Sequence, residues 1–63
     1  MDGKTLKIER IRADIPQRKM AEALGVDPSL LSKIENNKAN LTEDLEKLYL
    51  KKLRELKEKN YEN

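Results

Sequence analysis

The chain contains no cysteine, histidine, tryptophan or phenylalanine, and only two glycines and two prolines among 63 residues. Cysteine and histidine serve in nucleophilic catalysis and in zinc binding, so without them we expect no catalytic residue and no metal site. Two isolated glycines, Gly3 and Gly25, cannot form a phosphate-cradling loop. These absences argue against an enzyme and against a bound cofactor.

Long apolar runs are also missing. No segment approaches the roughly 18 apolar residues of a membrane span, and the N-terminus, MDGKTLKIERIR, lacks the apolar stretch of a signal peptide. A chain of this length forms one small domain that buries only about 60% of its unfolded surface. We therefore expect a cytoplasmic protein without a membrane partner or a small-molecule ligand.

Charge is abundant but nearly balanced, with 14 Lys and Arg against 12 Asp and Glu. Residues 1–40 carry eight basic and six acidic side chains, whereas residues 41–63 carry six of each. Any positive field therefore lies on the N-terminal part of the chain. A net charge of +2 is by itself too small to indicate nucleic-acid binding.

Apolar spacing predicts an all-α fold of four helices, the last one long and highly charged. Residues 1–41 form the predicted body, and residues 42–63 form a C-terminal helix that packs on the same domain and frays after about Leu56. In the first helix we expect Leu6, Ile8 and Ile11 to face the core. The predicted helices cover about Gly3–Ala13, Gln17–Leu24 (with Pro16 as an alternative start), Pro28–Asn36 and Thr42 onward.

The residues between these segments are typical of helix ends. Gly25 suits a left-handed stop, and Asn36-Asn37 is the next-best choice for the following stop. Asp27 is predicted to cap the third helix with its carboxylate, ahead of Pro28 at the first helical position. Either Thr42 or Asn40 can cap the last helix.

Two sets of apolar residues are candidates for the core. The short central helices and their turn contribute Met20, Ala21, Leu24, Val26, Leu31 and Ile34. The last helix contributes a stripe at 3.6 residues per turn, Leu41, Leu45, Leu48, Tyr49, Leu53 and Leu56, while Leu50 lies off it. Leu50, Leu53 and Tyr61 are alternatively placed to cover a partner helix.

The run Gln17–Glu35, QRKMAEALGVDPSLLSKIE, combines two short amphipathic helices with a tight turn at Gly25. That pattern is typical of a helix-turn-helix, whose second helix can enter the major groove of DNA. An ordinary helical hairpin in a bundle is the alternative.

Residues Leu6–Thr42 resemble the lambdoid repressor and Cro-type helix-turn-helix family, also called XRE-like. The similarity rests on the element Q-x-x-x-A-x-x-L-G-V, which begins at Gln17, together with SKIEN at residues 32–36. The chain departs from the family where Pro16 replaces the usual Ser or Thr cap, and where Asp14 and Asn37 stand in place of glycine.

The resemblance implies roles for individual residues. It implies an ion pair between Arg10 and Glu35. It implies DNA base reading by residues on the exposed face of the third helix: Pro28, Ser29, Ser32 and Lys33. It implies phosphate contacts by Gln17, Arg18, Asn36, Lys38 and Asn40.

These expectations combine into one function. The resemblance indicates a lambda repressor-like domain that binds double-stranded DNA sequence-specifically, as a small transcriptional repressor of phage or mobile-element type. A possible homodimer on a palindromic operator follows from the small contact area of one module. The alternative is a protein-interaction module, antitoxin- or antirepressor-like, that acts through the C-terminal helix. An engineered or isolated domain fragment also fits the sequence.

Overall fold

A computed structural model of the chain describes residues 1–61, with the side chains of residues 1–59. Within that range it is all-α and has no strand, as predicted. Each of the first three helices begins and ends within one residue of its predicted bounds. The helices are α1 (Gly3–Arg12), α2 (Gln17–Leu24), α3 (Pro28–Glu35) and α4 (Glu43–Tyr61).

The buried face of α1 differs from the predicted one. Leu6 is fully buried, but Ile8 and Ile11 are 51% and 56% exposed, so their assignment to the core was wrong. At 3.6 residues per turn, Ile8 lies about 200° around the helix from Leu6 and cannot share its face. Gly3 and Arg10, three residues before and four after Leu6, complete the buried face instead.

The first three helices end in the same way, with one residue in the left-handed region. Asp14, Gly25 and Asn37 have φ values of 61°, 71° and 60°. After α3, the N–H of Lys38 donates to the Lys33 carbonyl at 2.8 Å, and the N–H of Asn37 donates to the Ile34 carbonyl at 3.2 Å. This hydrogen-bond pair is a Schellman motif. The stops predicted at Gly25 and Asn37 are therefore confirmed.

The helix starts are capped in different ways. The Asp2 carboxylate caps α1, and the Thr42 hydroxyl accepts from the N–H of Leu45 at 3.1 Å. Thr42, rather than Asn40, therefore caps α4. Asp27 occupies the cap position of α3, but its carboxylate makes no capping hydrogen bond, so that prediction was wrong. Instead, α3 begins with Pro28, whose ring fixes φ at a value suited to a helix.

The core lies between α4 and the first three helices. Of the predicted stripe, Tyr49 and Leu53 are buried, Leu45 is half-buried and Leu48 is 36% exposed. Leu56, and Leu41 in the loop before α4, pack partly buried against the core. The helix continues past Leu56 to Tyr61, beyond the point of predicted fraying, and the Tyr61 side chain lies outside the described residues. The buried hydrophobic residues are Leu6, Ile15, Met20, Ala21, Leu24, Leu31, Ile34, Tyr49 and Leu53.

The start of α1 packs directly on the end of α3. A Cβ at Gly3 would overlap the carbonyl oxygen of Ile34, so this position has room for glycine only. The N–H of Gly3 also donates to Oδ1 of Asn37 at 2.9 Å. Asn37 therefore ends α3 and also accepts a hydrogen bond from a backbone N–H that has no partner within α1.

Candidate nucleic-acid interface

Helices α2 and α3 form a compact pair joined by residues 25–27. Ala21 of α2 and Leu31 of α3 are both fully buried. A residue as small as alanine permits the two helices to approach closely at that point. The pair is therefore held at a fixed angle by its core, and the opposite face of α3 is left in solvent.

That solvent-facing side of α3 carries most of the predicted base-reading residues. Pro28, Ser29 and Lys33 are exposed, as the spacing predicts. Leu30, which the sequence analysis did not select, is 42% exposed beside them. Since residues three and four apart are neighbours on a helix surface, Ser29, Leu30 and Lys33 form one continuous patch. We call these three residues the outer patch.

Ser32 is placed differently from the other predicted base readers. It is half-buried, and the side-chain amide of Asn36 folds back over it. Nδ2 of Asn36 donates to the Ser32 carbonyl at 2.8 Å and lies 3.5 Å from its hydroxyl. Asn36, a predicted phosphate contact, therefore uses one amide hydrogen in a bond within its own helix.

The end of α3 is fixed by a buried carboxylate, Glu35, which contacts one residue from each of the other three helices. Nε and Nη2 of Arg10 donate to its two oxygens at 2.8 and 3.1 Å. Nε2 of Gln17 donates to Oε1 at 3.0 Å, and the Tyr49 hydroxyl donates to Oε2 at 2.6 Å. The ion pair expected between Arg10 and Glu35 is therefore present, in a larger network than the sequence indicated.

Every member of this network is satisfied despite its burial. Glu35 is 0% exposed and Arg10 is 6% exposed. The third guanidinium nitrogen of Arg10, Nη1, donates to the Ile15 carbonyl at 2.8 Å, and the Tyr49 hydroxyl lies 3.2 Å from the Leu6 carbonyl. No buried side-chain nitrogen or oxygen among the described residues lacks a partner. A buried ion pair with such geometry holds its helices in one arrangement.

The network also determines the charge states of its members. Burial alone raises the pKa of Glu35, but the donors from Arg10, Tyr49 and Gln17 outweigh it and hold that pKa below its usual value. Burial likewise lowers the pKa of Arg10, and Glu35 more than compensates by raising it. Burial and the neighbouring carboxylate both raise the pKa of the Tyr49 hydroxyl. At neutral pH the network therefore holds an ionised pair and a protonated tyrosine.

The predicted phosphate contacts lie at two places in the structure. Gln17 and Arg18 begin α2, where Arg18 is exposed and Gln17 is half-buried because of its bond to Glu35. Lys38 and Asn40 are exposed in the loop after α3 and line an open groove beside Asp2 at the start of α1. The structure thus brings Gln17 to the end of α3, whereas Lys38 and Asn40 lie past it.

Two contributors to this region escaped the sequence analysis. Tyr49 was read as one apolar member of the α4 stripe, although its hydroxyl makes the shortest hydrogen bond to Glu35. A buried tyrosine normally needs a polar partner, and that rule was the available signal. Leu30 carries no signal in the sequence, because an isolated exposed leucine is ordinary on a protein surface.

Comparison with known proteins agrees with this geometry. A family model described as helix-turn-helix matches residues 6–54, which is most of the chain. The chain therefore belongs to the helix-turn-helix family, of the XRE type that includes the lambda repressor and Cro. It is a DNA-binding domain of the transcription-regulator type.

Two further findings concern relatives and membranes. No curated protein and no solved structure matched the chain. Among the helices within residues 1–61, none has the length and apolar character needed to cross a bilayer.

Proposed function

We propose that this chain recognises a specific double-stranded DNA sequence as a small transcriptional repressor of phage or mobile-element type. Helix α3 lies in the major groove in this proposal, with Ser29 and Lys33 directed at base edges. Lys33 donates to the O6 and N7 acceptors of guanine, and the serine hydroxyl donates or accepts. Pro28 and Ser32 lie at the margins of this contact.

The observation that supports the proposal most strongly is the unused polar surface of α3. Among the side chains of residues 1–59, neither the Ser29 hydroxyl nor the Lys33 ammonium takes part in a hydrogen bond or an ion pair. The opposite face of the same helix is locked by Leu31, Ile34 and Glu35, all buried. A helix that is rigid on one side and chemically free on the other suits base readout.

Phosphate contacts supply the larger, sequence-independent part of the affinity. Nε2 of Gln17 carries two hydrogens, and Glu35 takes only one of them. The second remains for a phosphate oxygen at the start of α2, with Arg18 alongside. Lys38 and Asn40 extend the same contact beyond α3.

One copy of so small a module buries little DNA surface, so useful affinity requires two copies. We propose that a homodimer binds a palindrome with half-sites about one helical turn apart. In this proposal, DNA binding is regulated by protein abundance, by dimerisation or by a protein partner.

The experiment is selection of bound duplexes from a random library, followed by measurement of the affinity of the selected duplex against salt. A palindromic sequence with half-sites one turn apart and a steep fall of affinity with salt is expected. Absence of any enriched sequence, with weak binding to all duplexes, contradicts the proposal. That outcome favours the alternative, a protein-interaction module that uses α4.

A further inference from the structure

We propose that Leu30 is a specificity-determining residue that packs against the 5-methyl group of a thymine in the DNA site. This inference rests on the proposed function and adds a residue and a base to it. Leu30 is 42% exposed on the outer patch, directly beside Ser29 and Lys33. Leu30 is a helix-surface neighbour of Lys33, three residues on, so it flanks the surface that Ser29 and Lys33 present to the groove.

The outer patch has little hydrogen-bonding capacity for base reading. Lys33 is its single long donor and Ser29 its single hydroxyl. Pro28 has no side-chain donor, and Ser32 is half-buried beneath the amide of Asn36. With these groups alone, the protein would recognise the base at only a few positions of the duplex.

Leu30 offers a different chemistry, because it is the large apolar side chain on this surface. On the floor of the major groove, the apolar group that a protein can recognise is the thymine methyl. Packing leucine on that methyl removes both from water, and no other base places a methyl there. The contact therefore favours thymine over cytosine without any hydrogen bond.

The position of Leu30 in α3 supports this assignment. Leu30 is the third residue of α3, within the N-terminal part of a recognition helix that contacts base edges. Helix side chains tilt toward the N-terminus, so the Leu30 side chain lies over the first turn of α3. Its neighbour Leu31 is fully buried in the core, so the backbone under Leu30 is fixed.

The test compares thymine with uracil, which lacks only the methyl group. The probe is the fluorescently labelled duplex selected by the wild-type chain, with each thymine replaced in turn by uracil. For the wild type, one thymine in each half-site is expected to give about fourfold weaker binding when replaced, the effect of burying one methyl group. For Leu30→Ala, binding to the thymine and uracil duplexes is expected to be equal.

Ile8→Ala is the matched control, since Ile8 is a large apolar residue that is 51% exposed on α1, outside the outer patch. It should retain the full uracil effect, and thermal unfolding should show that both variants remain folded. Two results overturn the inference: no replacement weakens the wild type, or the uracil effect persists in Leu30→Ala. If a duplex is selected but its affinity does not depend on a thymine methyl group, only the role of Leu30 is refuted. If the library yields no enriched duplex, the proposed function is refuted as well.

Discussion

Replacing Tyr49 with phenylalanine tests whether the network around Glu35 stabilises the fold. The substitution removes one hydroxyl and keeps the ring, so packing is nearly unchanged. The lost bond is 2.6 Å long, is fully buried and ends on an ionised carboxylate. Hydrogen bonds to charged groups contribute about 1.5–3 kcal/mol, so we expect a loss of about 2 kcal/mol in the free energy of unfolding. For a domain of this size that corresponds to a fall in Tm of roughly 8–16 °C.

The effect should depend on pH in a defined direction. Because its donors lower the pKa of Glu35 from the usual value of 4.5, the ionised carboxylate stabilises the fold fully above about pH 4.5. This stabilisation is lost as the pH falls through the lowered folded-state pKa. Removing a donor shifts that pKa back upward in Tyr49→Phe. The difference between wild type and variant should therefore be largest near neutral pH and should shrink on acidification.

Urea unfolding followed by circular dichroism measures both quantities. Lys51→Ala, a change at an exposed position of the same helix, should shift the free energy of unfolding by no more than about 0.5 kcal/mol. A loss below about 0.5 kcal/mol for Tyr49→Phe would show that the hydroxyl contributes little. A larger loss that stays constant from neutral to acid pH would show that the ionised form of Glu35 is not its cause.

Three further predictions concern the network, the helix contact and the DNA surface. Arg10→Met should cost about 3–5 kcal/mol in urea unfolding, because it leaves the Glu35 carboxylate buried without its cation, and the double change Arg10→Met with Glu35→Leu should recover part of that loss. Gly3→Ala should lower the free energy of unfolding by about 1–3 kcal/mol, since its Cβ has no space. Gln17→Ala should weaken binding to all duplexes alike, whereas Lys33→Ala should relax specificity at one base position.

Each of these has an outcome that contradicts it. A double variant less stable than Arg10→Met alone would mean that the pair is not the source of the loss. A fully stable Gly3→Ala would show that α1 can move away from α3, with Lys4→Ala as the exposed control one residue on. Equal loss on all duplexes for Lys33→Ala would exclude a base-reading role for that lysine.

The backbone of this domain is largely predictable from its sequence. Gly25 and Asn37 both adopt the left-handed conformation, which glycine and asparagine reach more easily than other residues, and Thr42 caps α4. These features depend on local chemistry, which acts over a few residues and is visible in the sequence. Periodicity likewise located the buried residues of α2 and α3, where the apolar face is regular.

Features that depend on contacts between distant residues were harder to predict. In α1 the apolar residues do not share one face, and the buried face holds Gly3 and Arg10 instead. Arg10 is buried because Glu35, 25 residues away, neutralises it, which no local pattern shows. The Asp27 carboxylate makes no cap although the position is a helix start.

The candidate site shows the same division. Spacing alone placed Ser29 and Lys33 on the outer face of α3, as the structure does. It did not place Ser32, because Asn36 folds back on it, nor the bond of Gln17 to Glu35. Asn36 and Gln17 can each bond to several partners, and the packing of the helices determines which of these bonds forms. Their roles on DNA remain predictions.

A pair of charge reversals tests most directly whether α3 is the DNA-binding surface. Lys33→Glu changes the outer patch, and Lys51→Glu makes the same charge change at an exposed position of α4. If α3 lies in the major groove, Lys33→Glu should weaken binding to the selected duplex at least about tenfold, and Lys51→Glu should change it only slightly. Equal losses would show that binding follows net charge alone, and loss only in Lys51→Glu would place the functional surface on α4.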